Sequence, residues 1–286
     1  MNRVKVDWLT LTRQHGPDRE EPLRSSSAAR SIAIQMWAQL GITDTDLHLQ
    51  GGRMRYPFIW LDRKSQTTMA ISETPWRQGV MFVAGGAATA DTALTYRVME
   101  RAYEQGWHCT RIDIAADLRD TGVTVQDIYY AHSKEQPKER KKKTFITSAR
   151  GDTFTLGSRQ SNKYLRVYDK AAEQGLSEDW IRVELEYKGD TAPTALKLAR
   201  NGAHNCVGDL VGFLGKTLTV IDESLKGMFT GNGDPIKAAK KLQTNRERWI
   251  RETVFPAWRS WAQEQPGDAW QALYDLLQQV SDIVHE

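Results

Sequence analysis

The sequence predicts an α+β protein in which an antiparallel sheet carries helices on one face and a helical tail follows at the C-terminus. Runs of alternating apolar and polar residues, such as VKVDWLTLT and TRIDIAADL, recur along the chain and are typical of half-buried strands. Capped segments with helical periodicity lie between groups of these strands. The 286 residues, 40% of them hydrophobic, suffice for a sizeable core.

The first part of the chain is predicted to form a strand, a helix, three strands and a second helix. VKVDWLTLT is the first strand, and SSSAARSIAIQMWAQLG is a helix because serines can cap its start and Gly41 can end it. MRYPFIWLD, TTMAIS and GVMFVAG follow as antiparallel strands. TADTALTYRVMERAYEQG is the clearest helix, with Thr89 or Asp91 at its start and Gly106 at its end.

The second part repeats this mixture of elements. CTRIDIAADL predicts a strand, TVQDIYYAHS a short helix, and KEQPKERKKKTF an exposed basic loop. Strands are then predicted at KTFITS, DTFTLGS, YLRVYDK and WIRVELEYKG, and helices at TAPTALKLARN and at about 209–226. GNGDP at 231–235 indicates a linker, so we expect one domain over residues 1–230 and a helical tail over 236–286.

Net charge, cysteine content and the length of apolar runs indicate which partners and which location to expect. The formal net charge is +3, which permits a nucleic-acid partner without requiring one. Two cysteines, Cys109 and Cys206, cannot form a disulfide framework, so we expect a reducing, cytoplasmic location. No apolar run has the length of a signal peptide or a membrane span, so no membrane partner is expected.

Two familiar kinds of site are not supported by the motifs. GFLGKT at 212–217 ends like a phosphate-binding loop, but Leu210 stands where the first glycine of that motif is needed and no clear strand precedes it. The six histidines show no paired spacing, and no cysteine lies at ligand spacing from them. The sequence therefore predicts neither an ATPase nor a zinc site.

The acidic residues of two strands are more informative. Alternation places Arg111, Asp113 and Asp117 on one face of the first strand, and Arg182, Glu184 and Glu186 on one face of the second. If both apolar faces meet the helices, these polar faces share one side of the sheet. Carboxylate oxygens suit Mg²⁺ or Mn²⁺, so Asp113, Glu184 and Glu186 are candidate metal ligands. A solvated face with cross-strand salt bridges is the alternative.

A third strand adds phenols and cations to the same side. In KYLRVYDK, Leu165 and Val167 point one way, while Tyr164, Arg166, Tyr168 and Lys170 point the other way. A phenol is a poor nucleophile until a cation or a metal stabilises its phenolate. A phosphodiester suits such a group as electrophile because its transition state gathers negative charge. We therefore expect transesterification of DNA through a phosphotyrosine.

These strands resemble a known family, the replication initiation factors of rolling-circle plasmids and some filamentous phages. LGSRQSNKYLRVYDK, RVELEYK, DWLTLT and TRIDIAADL look like the family in order and spacing, and the resemblance covers roughly residues 5–225. It implies a site-specific, metal-dependent nickase that leaves a 5′-phosphotyrosine and a free 3′-hydroxyl. Tyr168 matches the nucleophile, Asp113 and Glu184 match metal-binding positions, and Arg166 and Lys170 would flank the scissile phosphate. The histidine pair of the related two-histidine nickases is missing.

The expected partners are double- and single-stranded origin DNA and a host helicase, with an oligomer left open. The candidate DNA-binding residues are Arg159, Tyr164, Lys141, Lys142 and Lys143; the lysines would hold phosphates. Tyr164 is also a reserve nucleophile, although a strand would separate it from Tyr168 by about 13 Å. The competing hypothesis is a repressor or adaptor that uses the same sheet to bind DNA without cutting it.

Overall fold

The computed structural model describes residues 4–14, 25–52, 56–72, 79–136, 141–223 and 234–237, together with positions 254, 256, 258, 261 and 271. The chain divides into two compact units, residues 1–239 and 240–286. The sheet and its helices lie in the first unit. Residues 137–140 of the basic loop, 231–233 of the linker and nearly all of the C-terminal tail lie outside the described residues, so the division into residues 1–230 and 236–286 stays a prediction.

A single antiparallel sheet of ten strands forms the centre of the described part of the chain. Its order is β2-β3-β4-β5-β1-β6-β10-β9-β8-β7. The strands are β1 (Val4–Gln14), β2 (Leu47–Leu49), β3 (Phe58–Asp62), β4 (Thr67–Ile71), β5 (Gly79–Gly85), β6 (His108–Arg119), β7 (Lys143–Ser148), β8 (Gly151–Leu156), β9 (Lys163–Asp169) and β10 (Trp180–Lys188). Every longer predicted strand is present, and only the three-residue β2 was not predicted.

Seven α-helices lie between residues 25 and 223 of the described part, and the described positions 256, 258, 261 and 271 are also helical. The seven helices are α1 (Ser26–Gln39), α2 (Ala87–Ala90), α3 (Thr92–Glu104), α4 (Val125–Glu135), α5 (Lys170–Glu173), α6 (Ala192–Ala199) and α7 (Gly208–Ile221). Ser25 caps α1, and Asp91, not Thr89, caps α3, because its carboxylate accepts a hydrogen bond from the backbone of Leu94 at 2.9 Å. The GFLGKT run lies inside α7, as expected if it is not a phosphate-binding loop.

The element order repeats once, although the sequence shows no repeat. β1 is followed by α1, four strands and α3, and β6 is followed by α4, four strands and α6. β1 and β6 lie side by side, and each set of four strands extends outward from its own central strand in the same order. The two halves are thus related by an approximate two-fold arrangement about the β1–β6 pair. The acidic strands predicted from the sequence, β6 and β10, both belong to the second half.

The helices cover one face of the sheet, as the sequence predicted. Leu9, Ile114 and Leu185 from the central strands belong to the same buried cluster as Trp37 of α1 and Met99 of α3. Burial of such side chains contributes roughly 25 cal/mol per Å² of apolar surface. Within the described part of the chain, no helix is long and apolar enough to span a bilayer. The opposite face of the sheet, called the polar face below, carries the residues considered next.

Candidate nicking site on the polar face of the sheet

Strand register brings the three predicted polar strands together on one side. Glu184 of β10 lies between Ala115 of β6 and Arg166 of β9, and Arg182 lies between Asp117 and Tyr168. The small side chain of Ala115 leaves space beside Glu184. Residues directly opposite each other in paired strands point to the same side of a sheet. The polar residues of these three strands therefore share one face, as predicted.

Glu184 is the acceptor at the centre of the site. The Tyr168 hydroxyl donates a hydrogen bond to its Oε2 at 3.2 Å, and the Arg166 guanidinium forms an ion pair with its Oε1. Glu184 is 2% exposed. Burial acts to raise the pKa of Glu184, but the charge of Arg166 and hydrogen bonds from neighbouring groups lower it overall. Glu184 is therefore held as a carboxylate directly beside a phenol.

Asp113 lies against Glu184 and is held by Arg111. The Arg111 Nε and Nη2 atoms donate to the two Asp113 oxygens at 2.8 and 2.5 Å. Burial raises the pKa of Asp113, and the negative charge of Glu184 adds to the effect while Arg111 opposes it. The two carboxyl groups are hydrogen-bonded to each other, which requires one of them to carry a proton. That group is Asp113.

Asp7 is a residue of this site that sequence reasoning missed. The β1–β6 register shifts between Val6 and Trp8, so Asp7 occupies a bulge, which re-aims a side chain relative to regular pairing. Burial raises the pKa of Asp7, opposed by the charge of Arg182, and the negative charge of Glu184 raises it further. A strict alternation pattern cannot locate a residue displaced by a bulge. The signal in the sequence is that the apolar positions of β1 shift phase at Asp7, from Val4 and Val6 to Leu9 and Leu11.

Arg182 joins the two central strands to β10. It is 4% exposed. Its Nη1 donates to Asp7 at 2.7 Å, and its Nε and Nη2 donate to Asp117 at 2.6 and 3.0 Å. Burial alone would raise the pKa of Asp117, but hydrogen bonds and charge from Arg182 lower it. The sequence placed both residues on the correct face, yet their pairing depends on the spatial neighbours of β10.

The cations near Tyr168 are already paired with carboxylates. Arg166 pairs with Glu184, and Lys170 pairs with Glu173 one helical turn away. The Arg166 and Lys170 charges lie 5.7 and 5.6 Å from the centre of the Tyr168 ring. Burial raises the pKa of the Tyr168 phenol, and the charge of Glu184 raises it further. The phenol is thus held protonated, and its proton already points to an acceptor.

Asp113 and Glu184 could supply two of the ligands of a divalent metal, with phosphate oxygens of the substrate as further ligands. Among the described residues, no group of three or more His, Cys, Asp or Glu is arranged to hold a metal ion. Asp113 and Glu184 are nevertheless adjacent hard oxygen donors that share a proton, and Mg²⁺ is commonly bound by one or two carboxylates together with phosphate oxygens. Glu186 forms ion pairs with Arg111 at 3.2 Å and Lys188 at 2.5 Å, so its role as a ligand stays a prediction.

The predicted DNA-binding residues lie on one side of this centre. Tyr164 is on the polar face opposite Glu186 of β10, and it is 6% exposed with the Arg159 guanidinium 5.7 Å from its ring centre. Lys141 and Lys142 are exposed, and Lys143 begins β7, two strands away from β9. These positions are compatible with phosphate contacts, and the DNA-binding roles stay predictions.

The comparisons with known proteins match this arrangement. Residues 108–203 match the family model described as Replication initiation factor. That range runs from β6 to the end of α6 and so contains Asp113, Tyr168 and Glu184. The resemblance to the replication initiation factors that the sequence motifs indicated is confirmed. No curated protein matches the chain.

A solved structure shows the same fold. The rolling-circle replication initiator protein from Geobacillus stearothermophilus superimposes with a TM-score of 0.59 over 74% of this chain and 85% of its own, at 16% sequence identity. The chain therefore has the fold of a rolling-circle initiator, and the predicted α+β class is confirmed. At this identity the comparison concerns the fold, and the chemistry rests on the residues of the polar face.

Proposed function

We propose that this protein initiates rolling-circle replication by nicking one strand of origin DNA, with Tyr168 as the nucleophile. The observation that carries the proposal is the contact between the Tyr168 hydroxyl and Glu184, a carboxylate kept ionised by Arg166. A nucleophile hydrogen-bonded to a base that a third group orients is the usual geometry of covalent catalysis. The family match to residues 108–203, the part of the chain that holds these residues, supports the same reaction class.

The reaction proceeds by exchange of one phosphodiester for another. As the Tyr168 oxygen attacks phosphorus, its proton passes to Glu184 over the existing 3.2 Å hydrogen bond. The bond from phosphorus to the 3′ oxygen breaks, and that oxygen takes up a proton from water and leaves as a 3′-hydroxyl, while Glu184 later releases the phenol proton to solvent. The 5′-phosphate stays on Tyr168. Because the phenol's pKa is raised, this proton transfer is needed before or during attack.

The surrounding cations would stabilise the phosphate as charge develops on it. Arg166 and Lys170 both approach the Tyr168 ring, and each forms a carboxylate ion pair that phosphate oxygens could share. A divalent metal held by Asp113 and Glu184, when bound, would add Lewis-acid stabilisation of the same charge. The protein's own contribution is to fix the phenol, its base and the cations on one rigid sheet.

Nicking of supercoiled DNA that carries the replicon's own origin tests this proposal. Wild-type protein should convert it to open circles with Mg²⁺ or Mn²⁺ and not in excess chelator. Tyr168→Phe removes only the attacking oxygen and should abolish nicking, while the matched variant Tyr164→Phe should retain it. Nicking by the Tyr168→Phe protein would rule out the proposed nucleophile. Origin binding without nicking by the wild type under any metal would favour the repressor or adaptor. A host helicase remains an expected partner, and an oligomer remains open.

A further inference from the structure

Two tryptophans flank the reaction centre on the polar face and have no role in the chemistry proposed above. Trp8 of β1 lies opposite Asp113, and Trp180 of β10 lies opposite Arg119. Both residues are half-buried, so neither is closed off from solvent as the core residues are. A large flat ring on the substrate side of a sheet offers a surface on which an unpaired base can stack.

The ring of Trp8 is held in a fixed orientation. Its Nε1 donates a hydrogen bond to the Thr10 hydroxyl at 2.8 Å. A Cβ atom placed on Gly85, its neighbour on β5, would lie 2.3 Å from Trp8 Cε3. Only glycine therefore leaves room for the indole to lie over the β5 backbone. A ring fixed beforehand loses little conformational entropy when a ligand stacks on it.

Each tryptophan is also paired with an arginine from β6. The Arg111 guanidinium carbon lies 5.0 Å from the Trp8 ring centre, and that of Arg119 lies 3.7 Å from the Trp180 ring centre. The Arg182 guanidinium carbon lies 5.5 Å from the same Trp180 ring centre. Guanidinium groups stack on aromatic faces and bind phosphates bidentately. A paired indole and guanidinium can therefore hold both parts of a nucleotide, its base and its phosphate.

The spacing of the two pairs fits one strand of DNA crossing the site. Trp8 pairs with Asp113, and Asp113 pairs with Glu186 on its other side. Glu186 is six residues from Trp180 along β10. At ~3.3 Å per residue and ~4.8 Å between strands, the two tryptophan Cα atoms are about 22 Å apart. Tyr168 pairs with Arg182, two residues from Trp180, so it lies between the two rings along the strand direction.

We propose that Trp8 and Trp180 are base-stacking platforms that hold the unpaired DNA strand on the two sides of the scissile phosphate. This inference rests on the proposed nicking function for the position of the phosphate. Single-stranded DNA is favoured as the ligand because the bases of a duplex are already stacked on each other, whereas unpaired bases stack on aromatic side chains without regard to sequence. Trp180 would contact a nucleotide next to the phosphate, and Trp8 one that is several nucleotides away.

Binding of a fluorescein-labelled oligothymidylate, followed by anisotropy in the Tyr168→Phe background, tests the proposal without cleavage. Trp8→Leu and Trp180→Leu should each weaken binding about 5- to 150-fold, and the corresponding Phe variants should lose much less. The salt dependence of binding should not change, because no phosphate contact is lost. Tyr103→Leu is the matched control, since exposed Tyr103 stacks with Arg200 at 3.9 Å but belongs to α3 in the helical layer.

Photo-crosslinking gives a second readout that does not depend on the leucine variants folding. Oligonucleotides containing 5-iododeoxyuridine should crosslink to peptides that contain Trp8 and Trp180. Gly85→Ala, which keeps the indole but forces it to move, should reduce the Trp8 crosslink and leave the Trp180 crosslink unchanged. Unchanged affinity in the Leu variants, or crosslinks only to peptides elsewhere in the chain, would overturn the proposal, even if wild-type protein nicks its origin. Stacking with no nicking would instead support Trp8 and Trp180 as base-stacking platforms and remove the proposed function, together with the scissile phosphate placed between them.

Discussion

Asp113→Asn should remove a specific pH dependence from the stability of the metal-free protein. Asp113 is 1% exposed, and burial raises its pKa to about 8, with Glu184 adding to the effect and Arg111 opposing it. An aspartate in the unfolded chain has a pKa of about 3.9. Between these two values the native state keeps a proton that the unfolded state has lost. Asparagine offers the same shape and a permanent N–H donor to Glu184, but it cannot titrate.

The sign and size of the effect follow from proton linkage. Because the native pKa is raised, stabilisation by the proton is fully present below about pH 4 and is lost as pH rises through about 8. The slope is at most about 1.4 kcal/mol per pH unit for one proton. Between pH 5 and 7 the free energy of unfolding of the wild type should therefore fall by up to about 2.7 kcal/mol relative to that of Asp113→Asn.

Urea unfolding of both proteins in excess chelator at several pH values measures this difference. Asp117→Asn is the matched control, because Arg182 lowers the pKa of Asp117 and its contribution is lost only as pH falls through the acidic range. Adding Mg²⁺ should flatten the wild-type curve, since a cation would replace the shared proton. Parallel curves for the wild type and Asp113→Asn in chelator would refute the shared-proton geometry.

Three further outcomes are expected. Arg182→Met should destabilise the protein by about 3–5 kcal/mol in urea unfolding, since it removes the arginine that Asp7 and Asp117 share and leaves Asp117 with Lys5 alone, at 3.2 Å; a loss below about 1 kcal/mol would contradict the account. Replacing Lys141, Lys142 and Lys143 by alanine should weaken binding to all DNA and reduce the slope of log K against log salt concentration by up to about 0.9 per lost duplex contact. A sequence-specific loss of affinity with an unchanged slope would argue against phosphate contacts. Asp209→Asn should cost about 1.5–3 kcal/mol, as Asp209 accepts from the Lys163 ammonium at 2.6 Å and Tyr187 at 3.1 Å; an unchanged urea midpoint would show that the cluster adds nothing.

The sequence predicted most of the fold because local patterns and tertiary structure agree in this chain. β6, β9 and β10 alternate over most of their length, and the apolar face of each packs against helices, so period-two patterning identified both the strands and their orientation. Caps such as Ser25 and Asp91 fixed helix starts within a residue or two. β2 escaped prediction because three residues are too few to show a period.

Strand order and the ion pairs of the site could not be predicted in the same way. Periodicity places Glu184 and Arg166 on polar faces, but their contact depends on β9 and β10 being neighbours. Asp7 reaches the site through a bulge that breaks the alternation. The raised pKa of Tyr168 also follows from tertiary structure. The sequence suggested that nearby cations stabilise the Tyr168 phenolate, but the phenol is buried and each of these cations is paired with a carboxylate.

Mass spectrometry of the covalent adduct tests the central claim most directly. Wild-type protein is incubated with Mg²⁺ and a single-stranded oligonucleotide that spans the nick site, then digested, and the modified peptide is sequenced. The account predicts one nucleotide-bearing tyrosine, Tyr168, joined to a 5′-phosphate, with a free 3′-hydroxyl on the released fragment. Tyr168→Phe should give no adduct and Tyr164→Phe a normal one. An adduct on Tyr164, or release of both DNA ends from the wild-type protein without any adduct, would contradict it.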